Sequence, residues 1–275
     1  MHLEVRDADA HTVAEAAGDR EVFLAWEGVY APGYTIVMSG LVPAQFYKVR
    51  VDAGLAEALV YISKDTACYH IPFGEGKTGH PPQAFTGERH FLSLREAETT
   101  DVCTYRNLAL NPLDQHGDQA EGIYPHASAN VETRGEAVFA ARNAIDGVIA
   151  PLSHGEWPYS SWGINRDPNA ALTLDFGRSV DIERICLYTR ADFPHDSYWT
   201  GATFAFSDGS QERVEMVRET VRPHVFEGPR FCKKGITRIT LQELIKAADE
   251  SPFPALTQIE VYGRESGISR DQTSI

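Results

Sequence analysis

Short runs in which apolar and polar residues alternate, separated by turn residues, cover most of this 275-residue chain. In Lys48-Val-Arg-Val-Asp52 the alternation has a period of two, as a half-buried strand requires. The same pattern predicts first-half strands at Glu21–Trp26, Thr35–Met38, Gln45–Val51, Ala58–Ile62 and His90–Arg95. Between them stand the turn signals Ala31-Pro-Gly33, Ala53-Gly54, Phe73-Gly-Glu-Gly76 and His80-Pro-Pro82. In the second half a short helix is predicted over Glu136–Ile145, ending at Asp146-Gly147. Strands follow at Ala171–Phe176, Ile182–Tyr188, Thr203–Phe206, Gln211–Val217, His224–Phe226, Thr237–Leu241 and Ile259–Tyr262. Leu172, Leu174 and Phe176 share one strand face, and Thr173 and Asp175 the other. Phe139, Trp162, Leu172, Leu174, Leu187 and Phe206 are the predicted second core.

These elements predict an all-β protein of two β-sandwich (jelly-roll) domains, and the 22 Gly and 15 Pro fit that class. The expected division is a first domain over residues 1–106, a linker over 107–123, a second domain over 124–266 and a tail over 267–275. The linker carries Asn111-Pro112, Asp114, Gly117 and Gly122 and offers little to bury. A net charge of −14 argues against nucleic acid or an anionic membrane as partner, since both need concentrated Lys and Arg. A neutral ligand is compatible with it. The start, Met1-His-Leu-Glu-Val-Arg6, has no apolar export segment and no run approaches a membrane span, so a cytoplasmic location is expected. Cys68, Cys103, Cys186 and Cys232 form no CxxC pair. One disulfide per half stays open, although Cys186, inside Ile185-Cys-Leu187, reads as a buried reduced thiol.

One ordered set of short motifs narrows the class. Ala141-Arg-Asn-Ala-Ile-Asp146-Gly147 is followed by Trp162, Leu172-Thr-Leu-Asp-Phe-Gly177, Leu187-Tyr-Thr-Arg190, Ser207-Asp-Gly209 and Gln258-Ile-Glu-Val-Tyr-Gly263. Over roughly residues 124–264 this order resembles the discoidin, or coagulation-factor C-type, galactose-binding-like sandwich, and especially the bacterial carbohydrate-binding modules of family 32. The first half carries no recognised motif. The resemblance implies a non-catalytic sandwich that binds carbohydrate through loops whose ends the strands fix. It also implies a structural calcium ion held by the carbonyls of Asn143 and Val148, the carboxylates of Asp146 and Glu260, and a hydroxyl from Ser160 or Ser161. Calcium takes six to eight hard oxygens, and a tight Asp-Gly turn presents carbonyls at low steric cost. The alternative for Asp146 is a simple Asx turn.

Two polar, aromatic stretches are the candidate ligand loops. Arg190-Ala-Asp192-Phe-Pro-His195-Asp196 carries Arg190, Asp192 and His195, which could bracket sugar hydroxyls. The run from Ser153 to Arg166 carries His154, Glu156, Trp157 and Tyr159, with the aromatic pair as a stacking platform. The competing reading is a salt-bridged arginine over a buried Trp199. No HExxH, Gly-x-Ser-x-Gly or P-loop pattern appears. A carbohydrate-active enzyme with its site between the domains, and a structural or protein-interaction module, remain the alternatives. A homo-oligomer formed through the first domain also stays open.

Overall fold

The computed structural model describes residues 1–120, 122–149, 155–190, 195–219 and 221–267. The chain is nearly all β, with 46% of residues in strands and 9% helical. The first half contains β1 (His2–Arg6), β2 (Thr12–Ala17), β3 (Glu21–Glu27), β4 (Thr35–Ser39), β5 (Gln45–Arg50) and β6 (Ala58–Ile62). It ends with β7 (Thr66–His70) and β8 (Arg89–Glu96), followed by the one-turn helix α1 (Thr99–Cys103). Next come β9 (Arg106–Asn107), β10 (Ile123–Tyr124), β11 (His126–Ala129) and β12 (Trp162–Gly163). The remaining strands are β13 (Leu172–Thr189), β14 (Trp199–Phe206), β15 (Gln211–Glu215), β16 (His224–Glu227), β17 (Lys233–Lys246) and β18 (Ala255–Glu265). Every pairing is antiparallel, and no helix among the described residues is long and apolar enough to cross a membrane.

Two sheets close the first half, one ordered β2-β1-β4-β7 and the other β10-β6-β5-β8-β3. Their inner faces meet over Leu3, Val5, Leu24, Ile36, Val49, Val60 and Leu94, all buried, which is the alternation the sequence announced. In the second half β13 runs for 18 residues where the pattern predicted two strands. Its first part pairs with β11 and β17, and its last part with β16 and β18. The register shifts between Asp175 and Ile182, so the strand bends from one layer into the other. Gly177 sits at that bend with φ +65, held by its N–H donating to Asp175 Oδ1 at 2.7 Å. A β-carbon there would lie 2.3 Å from the Tyr124 ring, so only glycine fits.

The predicted core residues Phe139, Trp162, Leu172, Leu174, Leu187 and Phe206 are all buried, and Trp162 packs 6.3 Å from Trp199. Where one short helix was expected, Ala137–Phe139 and Ala141–Ile145 form two separate 3-10 turns, because Ala140 between them is extended. All four cysteines are thiols, with Cys186 buried and Cys232 exposed.

The stretch 107–123 offers more to bury than its composition suggested: Leu108, Ala109, Asn111, Leu113, Asp114 and Ile123 are buried. Strand β9, before it, pairs with β18, while β10, at its end, pairs with β6. The chain therefore crosses between halves that it also stitches together. Glu265 binds Arg106 and Arg178, and both guanidinium groups lie over the Phe46 ring, at 5.7 and 4.9 Å.

Candidate functional site

At one end of the second sandwich the loops after β12, β13 and β17 converge on a cavity of about 130 Å³. Its lining includes Asn165, Arg166, Arg190, His195, Asp196 and Phe253. The backbone ties these loops together. Arg190 N donates to Ala255 O at 3.0 Å, Ser197 N to Phe253 O at 3.3 Å, and Ser251 Oγ to His195 O at 2.5 Å.

Phe253 is the centre of the cleft. The His195 ring stacks against it at 5.2 Å and 11°, and the Arg166 guanidinium lies 4.7 Å from its centroid. Asn165 and Arg166 both have left-handed backbones, with φ of 49° and 61°, and Arg134 in the same lining has φ 55°. Non-glycine residues in that region carry strain, which collects where surrounding structure holds a functional arrangement. Asn165 is fixed by its N–H donating to Thr133 Oγ1 at 3.0 Å. Arg166 and the Asn165 carboxamide make no hydrogen bond among the described residues and face solvent.

Beneath these exposed groups sits a buried ion pair. Arg190 Nε lies 3.0 Å from Asp196 Oδ2, and both side chains are 2% exposed. The other Asp196 oxygen meets His195 Nδ1 at 2.9 Å. That contact and the stacking on Phe253 together fix the orientation of the His195 ring. Arg190 also lies 5.9 Å from the rings of Phe139 and Tyr159.

The structure thus brings together Arg190, His195 and Tyr159 of the predicted ligand set, with Arg190 as floor and not as an exposed donor. Its carboxylate partner is Asp196. Asp192 and His154 lie outside the described residues. Trp157 and Glu156 are exposed but do not line this cleft. Arg166 and Phe253 were not singled out from the sequence. Phe253 had a signal in Pro252-Phe-Pro254, since an aromatic between two prolines cannot sit inside a strand ladder. Nothing in residue type marked the strained pair 165–166, apart from the tolerance of Asn for a left-handed backbone.

The Asp146 turn is a separate site. Asp146 Oδ1 accepts from Val148 N at 2.8 Å and from Gln258 Nε2 at 2.7 Å. Gln258 Nε2 also donates to the Asn143 carbonyl at 2.5 Å, and Gln258 Oε1 accepts from Gly147 N at 3.0 Å. Burial pushes the Asp146 carboxyl up to about 6, while the Arg142 charge and these hydrogen bonds act the other way. Glu260, the expected ligand from the last strand, instead accepts from Tyr262 OH at 3.3 Å, and burial raises its pKa. The β18 residue that reaches the turn is Gln258. Ser160 and Ser161 have buried hydroxyls with no hydrogen-bond partner among the described residues.

A second cavity, of about 320 Å³, lies where the halves meet, lined by residues that include His70, Glu75, His80, Asp114, His116 and Arg142. Most of its polar groups are engaged. Arg142 donates to Asp114 O at 2.7 Å, Asn143 Oδ1 at 3.0 Å and Gly79 O at 3.4 Å. Asp114 accepts from Ala127 N at 2.8 Å and pairs with His126 at 2.7 Å, Glu75 accepts from Ala137 N at 2.8 Å, and His116 pairs with Glu132.

No family model matches the chain, and no curated protein matches it. Among solved structures the chain is similar to chitosan-binding module 1 of a chitosanase/glucanase from Paenibacillus sp. IK-5, at 19% identity and TM-score 0.39, covering 57% of this chain and 98% of that one. It is also similar to the Streptococcus pneumoniae fucose binding module SpX-3, at 14% identity and TM-score 0.40, over 58% and 98%. The family 32 module of C. perfringens NanJ, in complex with galactose, matches at 20% identity and TM-score 0.37, over 50% and 91%.

Proposed function

We propose that this chain binds carbohydrate, without chemistry, in the cleft around Phe253. The observation that carries the reading is Arg166, whose donors meet no acceptor among the described residues and whose guanidinium lies over Phe253 on a left-handed backbone. A pyranose presents hydroxyl edges and an apolar C–H face. Arg166 supplies paired donors, Asn165 a donor and an acceptor, and Phe253 an apolar surface that the stacked His195 ring extends. The one carboxylate in the described lining, Asp196, is committed to Arg190 and His195 and serves to position them. A cavity of about 130 Å³ fits one terminal residue of a glycan better than a buried chain, against about 300–1,000 Å³ for sites that engulf a ligand.

A glycan array on the intact protein, followed by calorimetry on any hit, tests the proposal. Phe253→Ala should abolish measurable binding at the wild-type dissociation constant, with the unfolding midpoint little changed because Phe253 is only half-buried. Binding that survives this change would move the site elsewhere.

A further inference from the structure

We infer that the Asp146 turn is closed by the Gln258 carboxamide in place of a divalent cation. The orientation of this amide is fixed by its partners. Gly147 N–H can only donate, so the atom 3.0 Å from it is the amide oxygen. The Asn143 carbonyl can only accept, so the atom 2.5 Å from it is the amide nitrogen. That nitrogen directs its two N–H bonds at the Asn143 carbonyl and the Asp146 carboxylate, two of the five oxygen donors expected to hold calcium. An N–H donor placed between two such oxygens does what a cation would do there: it offsets their negative partial charge and fixes their separation. The same oxygens cannot accept from the amide and coordinate calcium with the same lone pairs.

The charge count points the same way. Calcium affinity follows the number of anionic ligands. Among the described residues Asp146 is the single carboxylate at the turn, since Glu260 is held by Tyr262. The closure also spans the sandwich, because Gln258 lies on β18 and is 1% exposed, so it anchors the turn to the last strand as a metal ligand would. The hydroxyls of Ser160 and Ser161 remain buried without partners under this closure. An ion that displaced the amide and engaged them is the competing arrangement.

The test is the unfolding midpoint of the full chain, as purified, after EDTA, and in excess calcium, together with terbium luminescence. Wild type should show the same midpoint in all three conditions and no calcium-competed terbium signal. Gln258→Glu puts a second carboxylate beside Asp146 and removes the donor. It should melt lower than wild type in EDTA and recover with calcium, because an ion bound only to the folded state stabilises it by mass action. If that variant does not fold, Gln258→Met removes the amide alone and should melt lower than wild type and stay indifferent to calcium. A wild-type midpoint that falls on chelation, or terbium bound and displaced by calcium, overturns the inference. So does a folded Gln258→Glu protein with the wild-type midpoint in EDTA.

Discussion

The cleft at the loop end and the cavity between the halves both contain arginine, histidine and a carboxylate. At the junction Arg142 is 5% exposed and its donors reach backbone or side-chain oxygens of both halves. At the loop end Arg166 is exposed and its donors meet no protein acceptor among the described residues. The junction groups hold the chain together, whereas the cleft separates two jobs. Its buried pair, Arg190–Asp196, sits beneath a surface layer in which Arg166 meets no acceptor among the described residues. Residue types alone do not distinguish such cavities. What distinguishes them is whether the polar atoms are already satisfied, because a buried group without a partner costs about 1–3 kcal/mol and an exposed one costs little.

The sharpest way to break the comparison is Arg190→Ala. It removes the guanidinium from the buried pair with Asp196, a change that costs about 3–5 kcal/mol in buried pairs. Stability and binding should fall together, which marks Arg190 as the floor. Full stability with lost binding would instead make Arg190 a direct ligand contact, as its position in the sequence first suggested. Arg142→Met ranks next. It removes three hydrogen bonds from a buried cation, and each such bond to a charged group contributes about 1.5–3 kcal/mol before compensation. Denaturant unfolding should show a large loss, while glycan affinity in the folded variant stays at the wild-type value. A drop in affinity would bring the junction into the ligand site.

Arg166→Ala should do the reverse. Its midpoint should match wild type, and the dissociation constant of the bound glycan should rise about tenfold to a hundredfold, the loss of one or two hydrogen bonds to a charged group. Calorimetry on the folded variant reads this directly. An unchanged constant would reduce Arg166 to a surface cation resting on Phe253.

Both sandwiches were legible because period-two burial is a local property that each strand writes for itself. Ala58–Ile62 was placed to the residue, and Leu172, Leu174 and Phe176 point inward as read. Strands β1, β2 and β7 were missed. His2–Arg6 and Thr66–His70 are only five residues long, and β2, an edge strand, buries little. Continuity of β13 across Gly177 was hidden because a glycine beside Asp175 reads locally as a turn, and only the Tyr124 ring shows why it is a bend. Of the candidate site the sequence marked residues that the structure places near one another, but not their arrangement. Arg190 and His195 lie where the loops converge, but their division into floor and surface depends on Asp196, Arg166 and Phe253, which come from three separate loops. At the Asp146 turn the resemblance implied Glu260, a carboxylate in the last strand. The register of β18 instead presents Gln258, two residues earlier.

The smallest expected effect, and the one that best isolates the junction, is a slope of stability against pH. His80 is 7% exposed, and burial, aided by the Arg142 and Lys77 charges, holds its pKa well below the ordinary 6.5. In the unfolded chain the same ring takes a proton near its ordinary value. Below about pH 6.5 the unfolded state therefore binds more protons than the folded state, and stability falls as pH falls, by at most about 1.4 kcal/mol per pH unit for one proton. His116, paired with Glu132, and His126, paired with Asp114, are unchanged in either protein. The difference between wild type and His80→Gln isolates the His80 part. Urea unfolding between pH 7.5 and 5 should show the variant losing less stability on acidification, with affinity in the cleft following the same pH curve in both proteins. Parallel stability curves would mean that His80 accepts its proton inside the fold, and the junction would then hold a titrating group where the structure places a neutral one.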